Sequence, residues 1–428
     1  MNKIVSGLCL AMALSANPAS AGQVPTGIPP LDHVFLVVME NHGYDEIFNN
    51  PNAPYVNAFA AHANFATNYF AVAHPSLTNY LEIVGGSNFG VLTDDAPDWH
   101  NSACQTNLAT GVAQTDNPVT GPVCPIAGQG KDAPTVAIDT TNEAGPPGLN
   151  NIDGQRSIAA NPNTLGQTIA DQLVAKGLSW KSYQESLPLV GADRVNYSDG
   201  VFTDSTDFTQ ILPPLPAPAG PLTQSTIVQL YAVKHNPFAY FKSVQEGQDP
   251  DLSLARTVGF DGPQGLYVDL GSGAAPNFSF IVPNQCNDQH GRGNDTAVCA
   301  YDPNDNGTQA GLNPALLRRG DATVKKIVES IHNAPLWKHG RNAIVVVWDE
   351  NDYAVVPNIV NKVLLIVDTN YGVSHVESGR YYTHFSLLKT LEAGFRLPCL
   401  NHACDASVDV ISDLFAPGSG HDHDGDDH

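Results

Sequence analysis

Two hydrophobic stretches of the chain end in side chains that can bind a metal ion. Residues 34–39 are followed by Glu40 and Asn41, and residues 344–348 are followed by Asp349 and Glu350. In an open α/β sheet, ligands bind at the carboxyl ends of the strands, so two buried strands that end in this way predict two walls of one site. Carboxylate and amide oxygens are ligands for hard divalent cations. Paired carboxylates are costly to bury unless a cation neutralises them, which favours a metal site over a helix cap or a surface turn.

A third segment, residues 74–80, supplies a hydroxyl that could act as a nucleophile. Ser76 lies just before a short helix that we predict over residues 79–85. A helix N-terminus stabilises negative charge and binds phosphate groups through its free backbone N–H groups. A metal-bound serine at that position can attack phosphorus, and Asn79 is close enough to donate a hydrogen bond to a phosphate oxygen. The alternative is that Ser76 serves only as an N-cap.

Three of the 15 histidines have neighbours that suit phosphate chemistry. His74 lies two residues before Ser76, His290 follows an Asn-Asp pair, and His384 precedes a predicted helix. Each could hold phosphate or protonate a leaving group, and each could instead be structural.

The overall charge limits the partners of the protein. The 428 residues include 43 acidic and 20 basic side chains, for a net charge of −23. This balance argues against nucleic acid as a partner, because binding it requires clustered Lys and Arg. A small phosphorylated substrate would be repelled at long range, so the site needs a local cation, which a bound metal provides.

The first 21 residues have the pattern of a signal peptide. Lys3 is followed by a short apolar run over residues 4–14 and by the small-residue cleavage site Ala19-Ser20-Ala21. No later segment is long and apolar enough to span a membrane, so we expect a secreted or periplasmic protein. Residues 22–415 are predicted to form a single catalytic domain, and residues 416–428, which end in His, Asp and Gly, a disordered acidic tail.

Six cysteines remain after the signal peptide, and they fall into three couples that are local in sequence. Six cysteines allow about 15 connectivities. We favour local pairing, because each couple closes a short loop rich in Gly, Pro and Asn, and export makes oxidation favourable. The predicted disulfides are Cys104–Cys124, Cys286–Cys299 and Cys399–Cys404.

The hydrophobic pattern predicts alternating strands and helices. Strands are expected over residues 33–39, 178–183, 277–282, 343–348 and 363–367, and helices over residues 164–176, 322–331 and 386–391. Thr164 is expected to cap the first of these helices, and residues 87–162 are expected to form a long loop region. This alternation predicts a three-layer α/β fold with a central, mostly parallel sheet.

Several motifs, taken in their order along the chain, resemble a known family. The segments are Met39-Glu40-Asn41, His74-Pro75-Ser76-x-x-Asn79-Tyr80, Ser179-Trp180-Lys181-Ser182-Tyr183-Gln184-Glu185, Lys234-His235-Asn236-Pro237-Phe238, Pro283-Asn284, Asn287-Asp288-x-His290, Gly320-Asp321, Trp348-Asp349-Glu350 and Thr383-His384-Phe385-Ser386-Leu387-Leu388. With these motifs the chain resembles the bacterial and fungal phosphoesterase family of secreted acid phosphatases and phosphatidylcholine-type phospholipases C, over about residues 31–398.

The resemblance implies an alkaline-phosphatase-like fold and a defined set of site residues. Ser76 would be the nucleophile, with Asn79, His290 and His384 also catalytic, His384 protonating the leaving group. His74 and Asp288 would bind the substrate. The ligands of one divalent metal ion would be Glu40, Asn41, Ser76, Asp349 and Glu350.

The Pro-Ser-x-x-Asn-Tyr form is similar to the acid-phosphatase side of the family. The chain departs from the phospholipase-type members at Asn351, where Gly often follows the Asp-Glu pair, and its insert with Cys286 suggests a disulfide-bound rim. We therefore expect hydrolysis of phosphate monoesters through a phosphoserine. A phospholipase C-type phosphodiesterase is the alternative enzyme, and a secreted metal- or phosphate-binding protein is the alternative without catalysis.

Overall fold

The computed structural model describes residues 22–91, 94, 164–187, 191, 231–291, 314–351 and 361–418. Nine strands form one sheet within these ranges. The strands are β1 His33–Met39, β2 Asn64–Phe70, β3 Trp180–Gln184, β4 Thr257–Val258, β5 Phe278–Val282, β6 Asn342–Trp348, β7 Lys362–Thr369, β8 Glu377–Ser378 and β9 Tyr382–Thr383. The α-helices in the described ranges are α1 Tyr44–Ile47, α2 Pro54–His62, α3 Ser76–Gly85, α4 Ile169–Ala175, α5 Lys242–Glu246, α6 Leu266–Ser272, α7 Pro314–Asn333 and α8 His384–Gly394.

The sheet is mixed but mostly parallel. Its order is β4-β3-β5-β1-β6-β7-β2-β8, and β9 pairs with β2. Strand β7 runs antiparallel to both of its neighbours, whereas the other described pairings are parallel. One helix group (α2, α6 and α7) and a second (α3, α4 and α8) flank the sheet. The predicted α/β class with a mostly parallel central sheet is confirmed.

The central strands are apolar because both of their faces are covered. Every residue of β6 is buried, and β1 is buried after its first residue. Strands covered by helices on both sides show continuous runs of Val, Ile and Leu rather than alternation, and this is the pattern of both segments. These two strands pair with each other at the centre of the sheet. Their rigid ends can therefore fix the position of the side chains that follow them.

Two helix predictions require correction. Helix α3 begins at Ser76 rather than at residue 79, so Ser76 lies inside its first turn. Helix α4 begins at Ile169, and its cap is Thr168 rather than Thr164. The Thr168 hydroxyl accepts a hydrogen bond from Ala170 N, and the Thr168 backbone N–H donates to the Asp171 carboxylate. These two bonds form a capping box, which the apolar stripe of the segment does not indicate.

The described helices include none with the length and apolar character required to cross a bilayer. The predicted Cys399–Cys404 disulfide is present, and Cys286 is disulfide-bonded as well. The predicted signal peptide, the pair Cys104–Cys124 and Cys299 lie outside the described residues, as does the C-terminal segment after residue 418. Pro417, near the start of the predicted tail, forms a β-bridge with Gly372.

Candidate active site

The carboxyl ends of β1 and β6 meet, as the sequence predicts. Met39 is the register partner of Trp348, so Glu40 and Asp349 leave neighbouring strands side by side. Asp349 N donates to Met39 O (2.9 Å), and Asn41 N donates to Asp349 Oδ1 (3.2 Å). Asn41 has a φ of 52°, a left-handed conformation that asparagine tolerates better than most residues. This turn directs both strand ends into one buried cluster.

Ser76 lies between two buried carboxylates at the start of α3. Its Oγ is 3.0 Å from Glu350 Oε1 and 3.2 Å from Glu40 Oε2, and its single proton can be donated to one of them at a time. Ser76, Glu40 and Glu350 are all fully buried. The structure therefore brings together the serine and the two strand-end carboxylates that the sequence predicts for one site.

Glu350 is held in place by the helix segment that carries Ser76. Its Oε2 lies 3.0 Å from His74 Nδ1 and accepts a hydrogen bond from Asn79 Nδ2 (3.1 Å). Asn79 Nδ2 also donates to Ala73 O (2.7 Å), and Asn79 Oδ1 accepts from two backbone N–H groups, those of Val72 and Ala73. The Asn79 side chain thus fixes the loop before Ser76 and orients Glu350, rather than reaching a phosphate oxygen as predicted.

His74 has a similar role. Its Nε2 lies 3.0 Å from Asn351 Oδ1, so the ring is held from both sides by residues that follow β6. Through these contacts His74 helps to fix the position of the Glu350 carboxylate. The predicted role of His74 in substrate binding remains a prediction.

The carboxylates carry more negative charge than their surroundings neutralise. Glu40, Asp349 and Glu350 are fully buried. Burial, together with the charges of Glu40 and Glu350, raises the pKa of Asp349 well above its usual value. Asp349 Oδ2 accepts no hydrogen bond from any residue that the structure describes. A buried carboxylate oxygen in this environment is suited to a cation. The predicted oxygen ligands therefore fit a divalent metal.

His235 is part of the site, although it was not among the predicted site residues. It lies in a 3-10 helix, Val233–His235, with Nε2 at 2.9 Å from Glu40 Oε1 and Nδ1 at 3.4 Å from Asp288 Oδ2. Burial lowers the pKa of His235, but the charge of Glu40 and contacts with Asp288 and Glu40 outweigh it and raise the pKa to about 9. His235 is therefore an imidazolium between two carboxylates. The Lys-His-Asn-Pro-Phe motif that contains His235 was the feature of the sequence that could have identified it as a site residue.

His235 also affects the two acids beside it. Burial raises the pKa of Glu40, but His235, Lys234 and His290 outweigh this effect, and the pKa of Glu40 is lowered. Burial raises the pKa of Asp288 to about 7, although His235 opposes the shift. Asp288 was predicted to bind substrate. Its side chain instead pairs with His235 and accepts a hydrogen bond from His290 N (2.7 Å).

His290 borders the same cluster. Its Nδ1 donates to Gly291 O (3.0 Å), and Lys234 Nζ approaches its Nε2 at 3.3 Å. Glu40, His235 and His290 present ligand atoms within 4.8 Å of one another, a second arrangement that could hold a metal. Lys234 faces the Nε2 lone pair that such a metal would need, which disfavours His290 as a metal ligand. Burial and the charge of Lys234 lower the pKa of His290 to about 3, so its ring is neutral near pH 7.

His384 lies against Asp349 rather than in an open site. Its Nε2 donates to Asp349 O (2.6 Å), and its Nδ1 is 2.8 Å from the Tyr69 hydroxyl, which therefore donates to it. Burial lowers the pKa of His384 to about 4, so the ring is neutral near pH 7. With both nitrogens engaged inside the protein, His384 is placed to position Asp349. This geometry argues against the predicted role as proton donor to the leaving group.

Comparisons with known proteins agree with the motif resemblance. The model of the Phosphoesterase family matches residues 46–301. A phosphatidylinositol-3-phosphatase of Mycobacterium tuberculosis is 24% identical over 94% of this chain and 89% of the relative, and an acid phosphatase of Aspergillus fumigatus is 22% identical over 92% of this chain. The chain spans 62% of the length of the Aspergillus protein.

Among solved structures, a protein in the alkaline phosphatase superfamily from Vibrio parahaemolyticus is 10% identical. It aligns with a TM-score of 0.44 over 92% of this chain and 76% of that chain.

Proposed function

Because the chain belongs to the phosphoesterase family, we propose that it is a metal-dependent phosphatase that hydrolyses phosphate monoesters through a phosphoserine on Ser76. Membership of the family makes it a hydrolase of phosphoric esters. The observation that carries the more specific proposal is the position of the Ser76 hydroxyl, which lies between Glu40 and Glu350 at the start of α3. A helix N-terminus beside a buried hydroxyl suits attack on a phosphoryl group.

The proposed ligands of one divalent metal ion are Glu40, Asn41, Ser76, Asp349 and Glu350. When bound, the metal would lower the pKa of the serine hydroxyl and neutralise phosphoryl charge. The chain positions these groups by two rigid strand ends and by one helix. His74 and Asn79 fix the position of Glu350, and His384 fixes the Asp349 backbone, through the contacts described above.

The chemical step assigned to Ser76 is an in-line displacement. The bond from Ser76 Oγ to phosphorus forms as the bond from phosphorus to the ester oxygen breaks. The serine proton passes to a carboxylate, and Glu350 Oε1 is the nearer acceptor at 3.0 Å. The ester oxygen takes a proton from water and leaves as the alcohol. On the opposite side of Glu40, His235 and Lys234 supply positive charge that can face the phosphoryl oxygens. Hydrolysis of the phosphoserine by water then releases inorganic phosphate.

A substrate panel tests this proposal. Purified protein loaded with divalent metal should release inorganic phosphate from a soluble monoester, and chelation should stop the release. Phosphatidylinositol 3-phosphate is a second monoester to include, because one relative carries the name of a phosphatase for it. Release of diglyceride from phosphatidylcholine in place of phosphate would support the phospholipase C-type alternative. Metal or phosphate binding without any turnover would support a binding protein.

The predicted export of the protein is a separate part of the proposal. Its support is the N-terminal pattern that ends at Ala19-Ser20-Ala21. The intact mass of the protein recovered outside the cytoplasm should correspond to a chain that begins at Gly22. A mass that still includes Cys9 would contradict the cleavage.

A further inference from the structure

Asp94 places a carboxylate on the first turn of α3, beside the proposed nucleophile. Its Oδ1 accepts a hydrogen bond from Leu77 N (3.0 Å), the backbone donor next to Ser76. Its Oδ2 lies 2.8 Å from Lys234 Nζ. The pair is largely buried, since 7% of the Lys234 side chain and 13% of the Asp94 side chain are exposed. A backbone amide and an ammonium group from two separate elements therefore converge on one anion next to Ser76.

The two groups that hold Asp94 are of the kinds that bind phosphate in many proteins. A backbone N–H in the first turn of a helix and a lysine ammonium are both common phosphate ligands in proteins. Lys234 also contacts a second residue of the candidate site, because its Nζ lies 3.3 Å from His290 Nε2.

The same turn of α3 carries a second sign of a ligand. The Thr78 hydroxyl is fully buried and has no hydrogen-bond partner among the described residues. A buried hydroxyl without a partner is costly, so a ligand that completes its hydrogen bonding would be stabilised at this turn. Capping of α3 by Asp94 explains neither this hydroxyl nor the buried lysine.

We propose that Asp94 is a built-in competitor of the substrate, whose carboxylate occupies the phosphoryl-oxygen site formed by Leu77 N–H and Lys234. A phosphate group binds there when the Asp94 side chain rotates away, so the substrate displaces an anion of the protein itself. The proposal rests on the proposed function, because it places this site beside the nucleophile Ser76. It adds that the resting enzyme is partly self-inhibited and that Lys234 binds the substrate.

The effect of Asp94 on phosphate affinity depends on the fraction of time that its carboxylate occupies the site. When the binding-competent state is only a fraction of the population, the apparent dissociation constant rises by the inverse of that fraction. An anion that fills its site about 70–90% of the time therefore weakens phosphate binding by about three- to tenfold. Removing the charge of Asp94 should therefore lower the dissociation constant of phosphate by about the same three- to tenfold.

Asp94→Asn is the variant that separates competition from capping. The Asn side-chain oxygen can still accept the hydrogen bond from Leu77 N, so the helix start is preserved, while the charge opposite Lys234 is lost. The dissociation constant of inorganic phosphate, measured by calorimetry on the metal-loaded protein, should fall about three- to tenfold. Asp269→Asn is the matched control, since it removes the carboxylate of another buried lysine pair, with Lys181, and should leave phosphate binding unchanged. Unchanged or weaker binding in Asp94→Asn would overturn the proposal.

A structure of the unmodified protein with phosphate provides a second test, which does not depend on the folding of a variant. A phosphate oxygen should replace Asp94 on Leu77 N and Lys234. Phosphate bound with Asp94 still in place would overturn the proposal. Both tests measure binding, so they are independent of turnover. If Asp94→Asn binds phosphate more tightly but the protein hydrolyses no monoester, only the proposed function is contradicted. If the protein hydrolyses monoesters normally but Asp94→Asn does not bind phosphate more tightly, only the role of Asp94 is contradicted.

Discussion

The rings of Tyr80 and His235 stack with their centroids 5.2 Å apart and their planes inclined by 13°. Tyr80 lies one turn after Ser76 on α3, so one helix carries both the proposed nucleophile and the ring that stacks on His235. Burial raises the pKa of Tyr80 well above its usual value, and the charges of Glu40, Asp349 and Asp288 raise it further. The Tyr80 hydroxyl therefore stays protonated beside the carboxylate cluster. This stacking ties the position of His235 to the helix that positions Ser76.

Two substitutions of Tyr80 should separate its ring from its hydroxyl. Tyr80→Phe keeps the stacked ring and should retain most of the turnover, whereas Tyr80→Leu should lower kcat/KM by about two- to tenfold. The estimate follows from about 0.5–1.5 kcal/mol for an aromatic pair, since 1.36 kcal/mol corresponds to tenfold in rate. Turnover of a soluble monoester and melting temperature should be measured together. Equal losses in the two variants would show that the stacking does not matter.

His384→Asn should lower stability and turnover together. The fully buried imidazole donates to the Asp349 backbone carbonyl and accepts from Tyr69, so its removal leaves two buried polar groups with weaker partners. The expected cost is about 1–3 kcal/mol of folding free energy. A proton donor to the leaving group would instead give a variant that melts normally but has an altered pH profile of kcat. That result would restore the catalytic role predicted from the motif.

The strand ends were predictable from sequence, whereas His235 and the contacts between the surrounding side chains were not. The apolar runs before Glu40 and Asp349 identify two buried parallel strands, and the rule that ligands bind at such strand ends places their carboxylates together. His235 lies in a 3-10 helix with no strong periodicity, so only its motif indicated it. Asn79 and His384 contact Glu350 and the Asp349 backbone. Which hydrogen bonds they form depends on packing that the sequence does not encode locally.

Removal of the metal should abolish turnover. Without a cation, Glu40, Asp349 and Glu350 are buried together and the pKa of Asp349 is raised. Prolonged chelation should reduce hydrolysis to background, and added divalent metal should restore it. Asp349→Asn should lose bound metal and rate together, whereas Asp368→Asn, which alters a partly exposed carboxylate paired with His332, should lose neither. Full activity in protein shown to be metal-free by elemental analysis would contradict the proposal.

Glu185 should make the protein less stable as the pH rises through weakly acidic values. Burial raises its pKa from 4.5 to about 7, although hydrogen bonds from Asn284 and Asn287 oppose the shift. A carboxyl group with a raised pKa in the folded state favours folding while it is protonated. Its contribution is therefore present below pH 4.5 and is lost as the pH rises towards about 7.

Glu185→Gln provides the measurement of this effect. Glutamine keeps an acceptor oxygen for Asn284 N and Asn287 Nδ2 but does not ionise. The free energy of unfolding, obtained from denaturant titrations between pH 4 and 8, should fall less steeply with pH in the variant than in the unmodified protein. Parallel curves for the two proteins would show that Glu185 has an ordinary pKa.

Ser76→Ala should remove nearly all hydrolysis and leave the fold intact. Loss of a covalent nucleophile lowers the rate by about 10⁴-fold or more, whereas loss of an N-cap costs about 1 kcal/mol of stability and spares the rate. The Ser76 hydroxyl lies within hydrogen-bond distance of Glu40 and Glu350, and the N-cap residue of α3 is Pro75 rather than Ser76, which supports the first outcome. Turnover and melting temperature measured side by side distinguish the two. A variant that melts lower but hydrolyses normally would make Ser76 structural and Thr78 the next candidate.

The phosphoserine itself can be measured directly. Metal-loaded protein that is turning over a phosphate monoester should be quenched in acid, digested and analysed by mass spectrometry. We predict one phosphorylated peptide, with the phosphate on Ser76, and no labelled peptide from the Ser76→Ala variant or from chelated protein. Rapid release of inorganic phosphate with no phosphate on Ser76 under any quench time, or with the phosphate on another residue, would contradict the proposed mechanism.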